Sequence, residues 1–152
     1  MNGEVVEDSD IERSIRNAIE PLINEMGYTV VEITVGISRD LEDVKVVVYG
    51  TEGVGINDLT LITRNIRPRM ELIEGLPNLS LTVSSPGIDR VIKSPEEYEI
   101  FCGRSVRILL KEGSEWIKGM ISGYKDSLLS IQIGDEVKQI GLEGIQKARL
   151  DD

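Results

Sequence analysis

The chain has 152 residues, of which 40% are hydrophobic and 29% charged, the balance of a folded protein of one ordinary domain or two small ones rather than a disordered one. It carries a formal net charge of −10, no histidine and a single cysteine, which excludes an internal disulfide, the usual zinc constellations and the commonest general base. Acidity also argues against a protein whose main task is gripping bare phosphate backbone, and makes a basic protein partner attractive through electrostatic steering.

The first stretch, MNGEVVEDSDIE, lacks the basic start and apolar run of a signal peptide. No apolar run approaches the roughly 20 residues that span a bilayer, so the expected location is the cytoplasm, away from membranes. Ser9 and Glu12 have capping-box spacing. Ile11, Ile15, Ala18, Ile19, Leu22, Ile23 and Met26 then recur at helical intervals. One helix is expected from Ser9 to Met26, bent at Pro21 and stopped by Gly27. Tyr28 to Ile37 alternates and is rich in β-branched residues, as a half-buried strand should be. After the polar break SRDLED comes a second strand, Val44 to Tyr49, and the short connection implies an antiparallel hairpin. The loop TEGVG contains Gly53 and Gly55 but lacks the Lys-Ser/Thr of a phosphate loop, and it reads as a plain connection. Asn57 is expected to cap a second helix reaching Glu74, with Leu59, Ile62, Ile66, Met70 and Ile73 as its buried stripe. The turn GLPN leads to a third strand, Leu79 to Val83.

After Pro86 the character changes. Ser94-Pro95-Glu96-Glu97 opens a short helix, with Glu three residues after the cap, that stops at Gly103. Strands are expected over Ser105 to Lys111, Trp116 to Tyr124, Leu128 to Ile133, Glu136 to Ile140 and Ile145 to Leu150. Their even spacing and Gly-containing turns suggest a small SH3-like or Sm-like barrel. The fold class is therefore α+β: an N-terminal α-β-β-α-β domain over 1–84, a joint over 85–94 and a barrel over 95–152. Residues 1–84 carry 7 basic and 15 acidic side chains, a net −8, and residues 85–152 carry 10 and 12, a net −2. A partner recruited by positive charge should dock on the first domain.

The segment SSPGIDR, Ser84 to Arg90, is the sharpest local feature. Pro86-Gly87 suits the central positions of a type II turn. Two roles remain open for the residues around it: Asp89 and Arg90 lock the two domains, or Ser84, Ser85 and the Arg90 fork meet a phosphate or a partner's backbone. On the second helix Arg64 and Arg67 share a face three residues apart, as a local basic strip or a solvated face paired with Glu. Trp116 and Tyr124 fill or cover the barrel, or stack bases. Cys102 reads as a small buried hydrophobe, and Asp151 and Asp152 as a solvated tail. No nucleophile–base pair stands at a recognisable spacing. Composition and spacing alone thus end at a two-domain binding module.

In order along the chain, GYTVVEI, VKVVVYG, GINDLTLITRNI, LTVSSPGIDR, FCGRSVRI and IQKARL resemble the bacterial ribosome maturation factor RimP family, with SSPGIDR the most characteristic stretch. Val91 departs from the proline usual after the Arg, and Gly50 from an acidic residue that often closes the second strand. The resemblance implies an α/β domain followed by an SH3-like barrel, no catalysis, no cofactor and no small-molecule substrate. It also implies binding to the free small ribosomal subunit during maturation, meaning its rRNA and a basic small-subunit ribosomal protein, by a chain taken as a monomer. Arg64, Ser84, Ser85, Gly87, Asp89 and Arg90 are the candidate contact residues. The rival readings are an Sm-like RNA-binding regulator, which predicts tight binding to protein-free RNA, and a carboxylate- or Ser-based hydrolase.

Overall fold

The computed structural model describes residues 8–38, 41–73 and 78–151, which form two compact units, Met1–Pro86 and Gly87–Asp152. The Ser9 cap side chain, the Arg39-Asp40 part of the polar break, Glu74, most of the GLPN turn and Asp152 lie outside the described residues.

In the first unit, helix α1 spans Asp8–Glu25. Ile11, Ile15, Ile19 and Ile23 recur every four residues, so they form one stripe and are all buried. The helix is continuous through Pro21, whose ring stands on the exposed side. Gly27 ends it at φ +97, with its N–H on the Asn24 carbonyl and the Tyr28 N–H reaching back to Ile23. That double closure is a Schellman motif.

Strand β1, Thr29–Ser38, pairs antiparallel with β2, Leu41–Tyr49. Strand β3, Leu79–Ser84, lies parallel to β2 after a crossover through helix α2, Ile56–Met70. The sheet order is β1-β2-β3. Strand β2 begins three residues earlier than its polar start suggested. Glu42 explains this: its N–H donates to the Asn78 carbonyl and its carboxylate accepts from the Asn78 N–H, clamping the start of β3. The cap of α2 also differs from expectation. Asp58 reaches back to the Gly55 N–H at 2.9 Å, so the helix starts at Ile56 and Asn57 is not its cap. Ile62, Ile66 and Met70 of α2 meet the α1 stripe and Val44, Val46 and Val48 of β2 in one apolar core. The α-β-β-α-β order is thus present, with helices supplying the core side of the sheet.

In the second unit, the short helix α3 spans Glu96–Ile100. Strands β4 (Ser105–Leu110), β5 (Trp116–Lys125), β6 (Leu128–Ile133), β7 (Glu136–Gly141) and β8 (Ile145–Leu150) form one antiparallel sheet in the order β7-β6-β5-β4-β8. Val106, Ile108, Ile121, Leu129, Ile131 and Phe101 are buried on one face. The hydrogen-bonded ladder ends at β7 and β8 and is not closed into the expected barrel. Those outer strands are nevertheless joined by the single turn Leu142–Gly144. Four chain steps reach about 15 Å, whereas the edges of a flat five-stranded sheet lie about 19 Å apart. The sheet must therefore curl strongly. Register breaks between Ile121 and Gly123 and between Leu109 and Leu110 are where bulges can deepen that curl.

Candidate functional site

Ser84 ends β3 opposite Val47 and is half-buried, while Ser85 is exposed. The turn that follows is not the one Pro86-Gly87 suggested. Gly87 is not in the positive-φ region, and the Arg90 N–H closes on the Gly87 carbonyl at 3.1 Å, so Ile88 and Asp89 take the central positions. Both are exposed, Ile88 by 72%. Arg90 then enters the second unit's sheet, accepting the Leu150 N–H on its carbonyl, and Val91 bridges to Arg149.

The Arg90 side chain is turned inward. Its Nε donates to Glu97 Oε1 at 2.8 Å, with the two side chains 8% and 1% exposed. The other oxygen of Glu97 accepts from the Lys93 and Ser94 backbone N–H groups and the Ser94 hydroxyl. One carboxylate thus satisfies a guanidinium and two backbone donors of the segment leading into α3, which is what a buried charge requires. Sequence reasoning saw Glu97 as the far end of a capping box and missed its second task. The Ser94-x-x-Glu97 spacing was the available signal; its pairing with Arg90, seven residues upstream, was not readable. Next to it, Tyr98 is buried against Tyr124, with ring centroids 5.8 Å apart. Burial, reinforced by the Glu97 charge and Tyr124, pushes the Tyr98 phenol up to about 12.

On the first unit, Arg64 and Arg69 of α2 are exposed, and Arg67 lies 3.9 Å from Glu71, a loose pair of little energetic weight. Arg64 makes no ion pair among the described residues. On the second unit, one expectation is narrowed and two are corrected. Trp116 does not fill the interior: it is 39% exposed, and the Arg107 guanidinium stands 5.6 Å from its ring centre. Cys102 is exposed rather than buried. Asp151 is no solvated tail, because it lies 3.3 Å from Arg107 and 3.6 Å from Lys118. For Trp116 and Asp151 the neighbours brought by strand pairing, Arg107 and Lys118, decided the outcome, and periodicity does not report them.

No helix among the described residues is long and apolar enough to cross a membrane. Residues 18–89 match the family described as the RimP N-terminal domain, and this match supports the RimP family for the chain. The matched region ends at Asp89, so it takes in α2 with Arg64 and all of the Ser84–Asp89 segment.

Proposed function

We propose that this protein is a non-catalytic maturation factor that binds the free small ribosomal subunit during its assembly. The match of residues 18–89 to the RimP N-terminal domain carries the reading. The charge distribution supports a division of labour. The first unit holds most of the −10 and suits a basic small-subunit ribosomal protein, while the nearly neutral second unit lies against rRNA. The curled five-stranded sheet is what an SH3-like domain would present for this.

Among the candidate contacts, Arg64, Ser85, Gly87 and Asp89 are exposed and available to a partner. Ser84 and Arg90 act one step behind them. Ser84 ends β3, and Arg90, paired with Glu97, fixes the turn that displays Ile88 and Asp89. The protein works as a monomer in the cytoplasm and needs no cofactor.

Sedimentation with ribosome fractions at two salt concentrations tests the proposal. Comigration with free small subunits and not with assembled ribosomes is expected. Association with neither at low salt would overturn it.

A further inference from the structure

We propose that the outer face of β8, β4 and β5 binds single-stranded RNA, with Arg149, Arg107 and Lys118 taking phosphates and Trp116 stacking on a base. The proposal rests on the small-subunit reading above and names the surface that would meet rRNA.

The register places the cations. Arg107 of β4 stands directly opposite Arg149 of β8 on one side and Lys118 of β5 on the other. Side chains directly opposite in an antiparallel pair lie about 4.5–5.5 Å apart at Cβ, where like charges repel. Three cations in one row across three strands therefore oppose folding unless an anion offsets them. The chain supplies Asp151, which approaches Arg107 and Lys118. Among the described residues no acceptor hydrogen-bonds the shielded Nε of Arg149, and the shielded Nε of Arg107 has only Asp151 Oδ1, 3.3 Å away in ion-pair rather than hydrogen-bond geometry. A charge row held together this incompletely is complementary to a polyanion.

The neighbouring rung gives the row its second property. Leu109 is flanked there by Lys147 of β8 and by Trp116 of β5. The exposed indole lies beside the Arg107 guanidinium, with a fourth cation across the strand. On the far side of the cation row Ser105, Met120 and Gln132 are uncharged, and Asp151, whose N–H donates to the Ser105 carbonyl, completes that rung. An aromatic platform flanked by Lys and Arg is how single-strand binders combine stacking with backbone contact. An acidic peptide would use the cations and leave the indole idle, so the pairing of the two favours a nucleotide chain. It also reconciles RNA contact with an acidic protein, because the positive charge is local to this face.

Trp116 is the chain's only tryptophan, so its fluorescence reads this surface directly. The full-length protein is titrated with a single-stranded RNA of about 10 nucleotides, the same RNA as a duplex, and polyglutamate, between roughly 50 and 200 mM salt, the range over which phosphate contacts weaken. We expect saturable quenching by the single strand. Its affinity should fall with salt at a log–log slope of about −2, the value for three phosphate contacts on a single strand. Lys118→Ala or Arg149→Ala should each reduce that slope by about 0.7 and leave the urea midpoint nearly unchanged, since each removes a repulsion and Lys118 loses only a loose, exposed pair with Asp151. No quenching, or binding indifferent to both variants, overturns the proposal, and tighter binding of polyglutamate assigns the face to an acidic protein instead. In the sedimentation assay, small-subunit binding that survives both substitutions removes this surface and leaves the proposed function standing. Wild-type protein that fails to comigrate removes the function itself.

Discussion

Glu97→Gln tests the Arg90 anchor most directly. The substitution keeps the shape and removes the charge, leaving a guanidinium that is 8% exposed without its counterion. It also turns one carboxylate oxygen into an NH2 group. That group must face either Arg90 Nε or the Lys93 and Ser94 N–H groups, so donor meets donor on one side. Removing one partner of a buried ion pair costs about 3–5 kcal/mol. Small domains hold only about 5–15 kcal/mol in total, so a large share of the second unit's stability should go. Urea unfolding followed by Trp116 fluorescence reports that unit, because its only indole lies in β5. With a slope of about 1 kcal/mol per molar for so small a unit, the midpoint should fall by about 3 M. Replacing both residues together, Arg90→Met with Glu97→Met, should recover part of the loss by leaving no charge buried. Recovery stays incomplete because the two backbone N–H groups still lack an acceptor, each worth about 1–3 kcal/mol. A Glu97→Gln midpoint shift below about 0.5 M would refute the anchor. It would return Arg90 to the role of a direct contact.

Three turn, packing and titration effects follow from the same unit. Asp126 and Ser127 both hold positive φ, at 50 and 63, in the loop between β5 and β6, so Ser127→Gly should raise its stability by about 1 kcal/mol, read by thermal melting; no gain would argue against strain there. Gly119→Ala should cost about 1–3 kcal/mol, because a Cβ would overlap Ile131 Cγ2 and stand 2.8 Å from the Gln132 carbonyl oxygen, and an unchanged melting temperature would contradict that packing. Tyr98 keeps its proton when folded well above the ordinary value of 10.0, so its contribution is intact below pH 10 and is lost as pH rises towards about 12. Base titration of stability should therefore show the wild type falling relative to Tyr98→Phe across that window, and parallel curves would count against it. For the proposed partner, reversing exposed acidic residues such as Glu25, Glu52 and Glu71 of the first unit should weaken subunit binding at low salt more than as many reversals in the second, and equal losses would reject the charge argument.

Much of the fold was legible because it rests on local rules. The four-residue recurrence of Ile11, Ile15, Ile19 and Ile23 specified both a helix and its buried stripe, and Gly27 ended it as its backbone freedom allows. The alternation of Val44, Val46 and Val48 likewise specified a strand with one covered face. Boundaries failed where a polar side chain worked at a distance. Glu42 looked like loop sequence, yet its bonds to Asn78, 36 residues away, make it part of β2. The candidate segment was legible as a turn and a family signature, whereas its turn type was not, since Gly87 tolerates the positive φ without requiring it.

The sequence by itself determined the elements, the two-unit division of charge and the family resemblance, all of which reside in short-range pattern or in matched strings. Only the tertiary structure decided that Arg90 turns inward to Glu97, that the five-stranded sheet curls without closing, and that Arg149, Arg107 and Lys118 line up beside an exposed Trp116. For the sheet and its cation row the reason is strand pairing. A strand's side-chain period says which residues share a face, but strand pairing says which strands are neighbours. Lys118 and Arg149 are far apart in the chain and have a common neighbour only because β4 lies between β5 and β8.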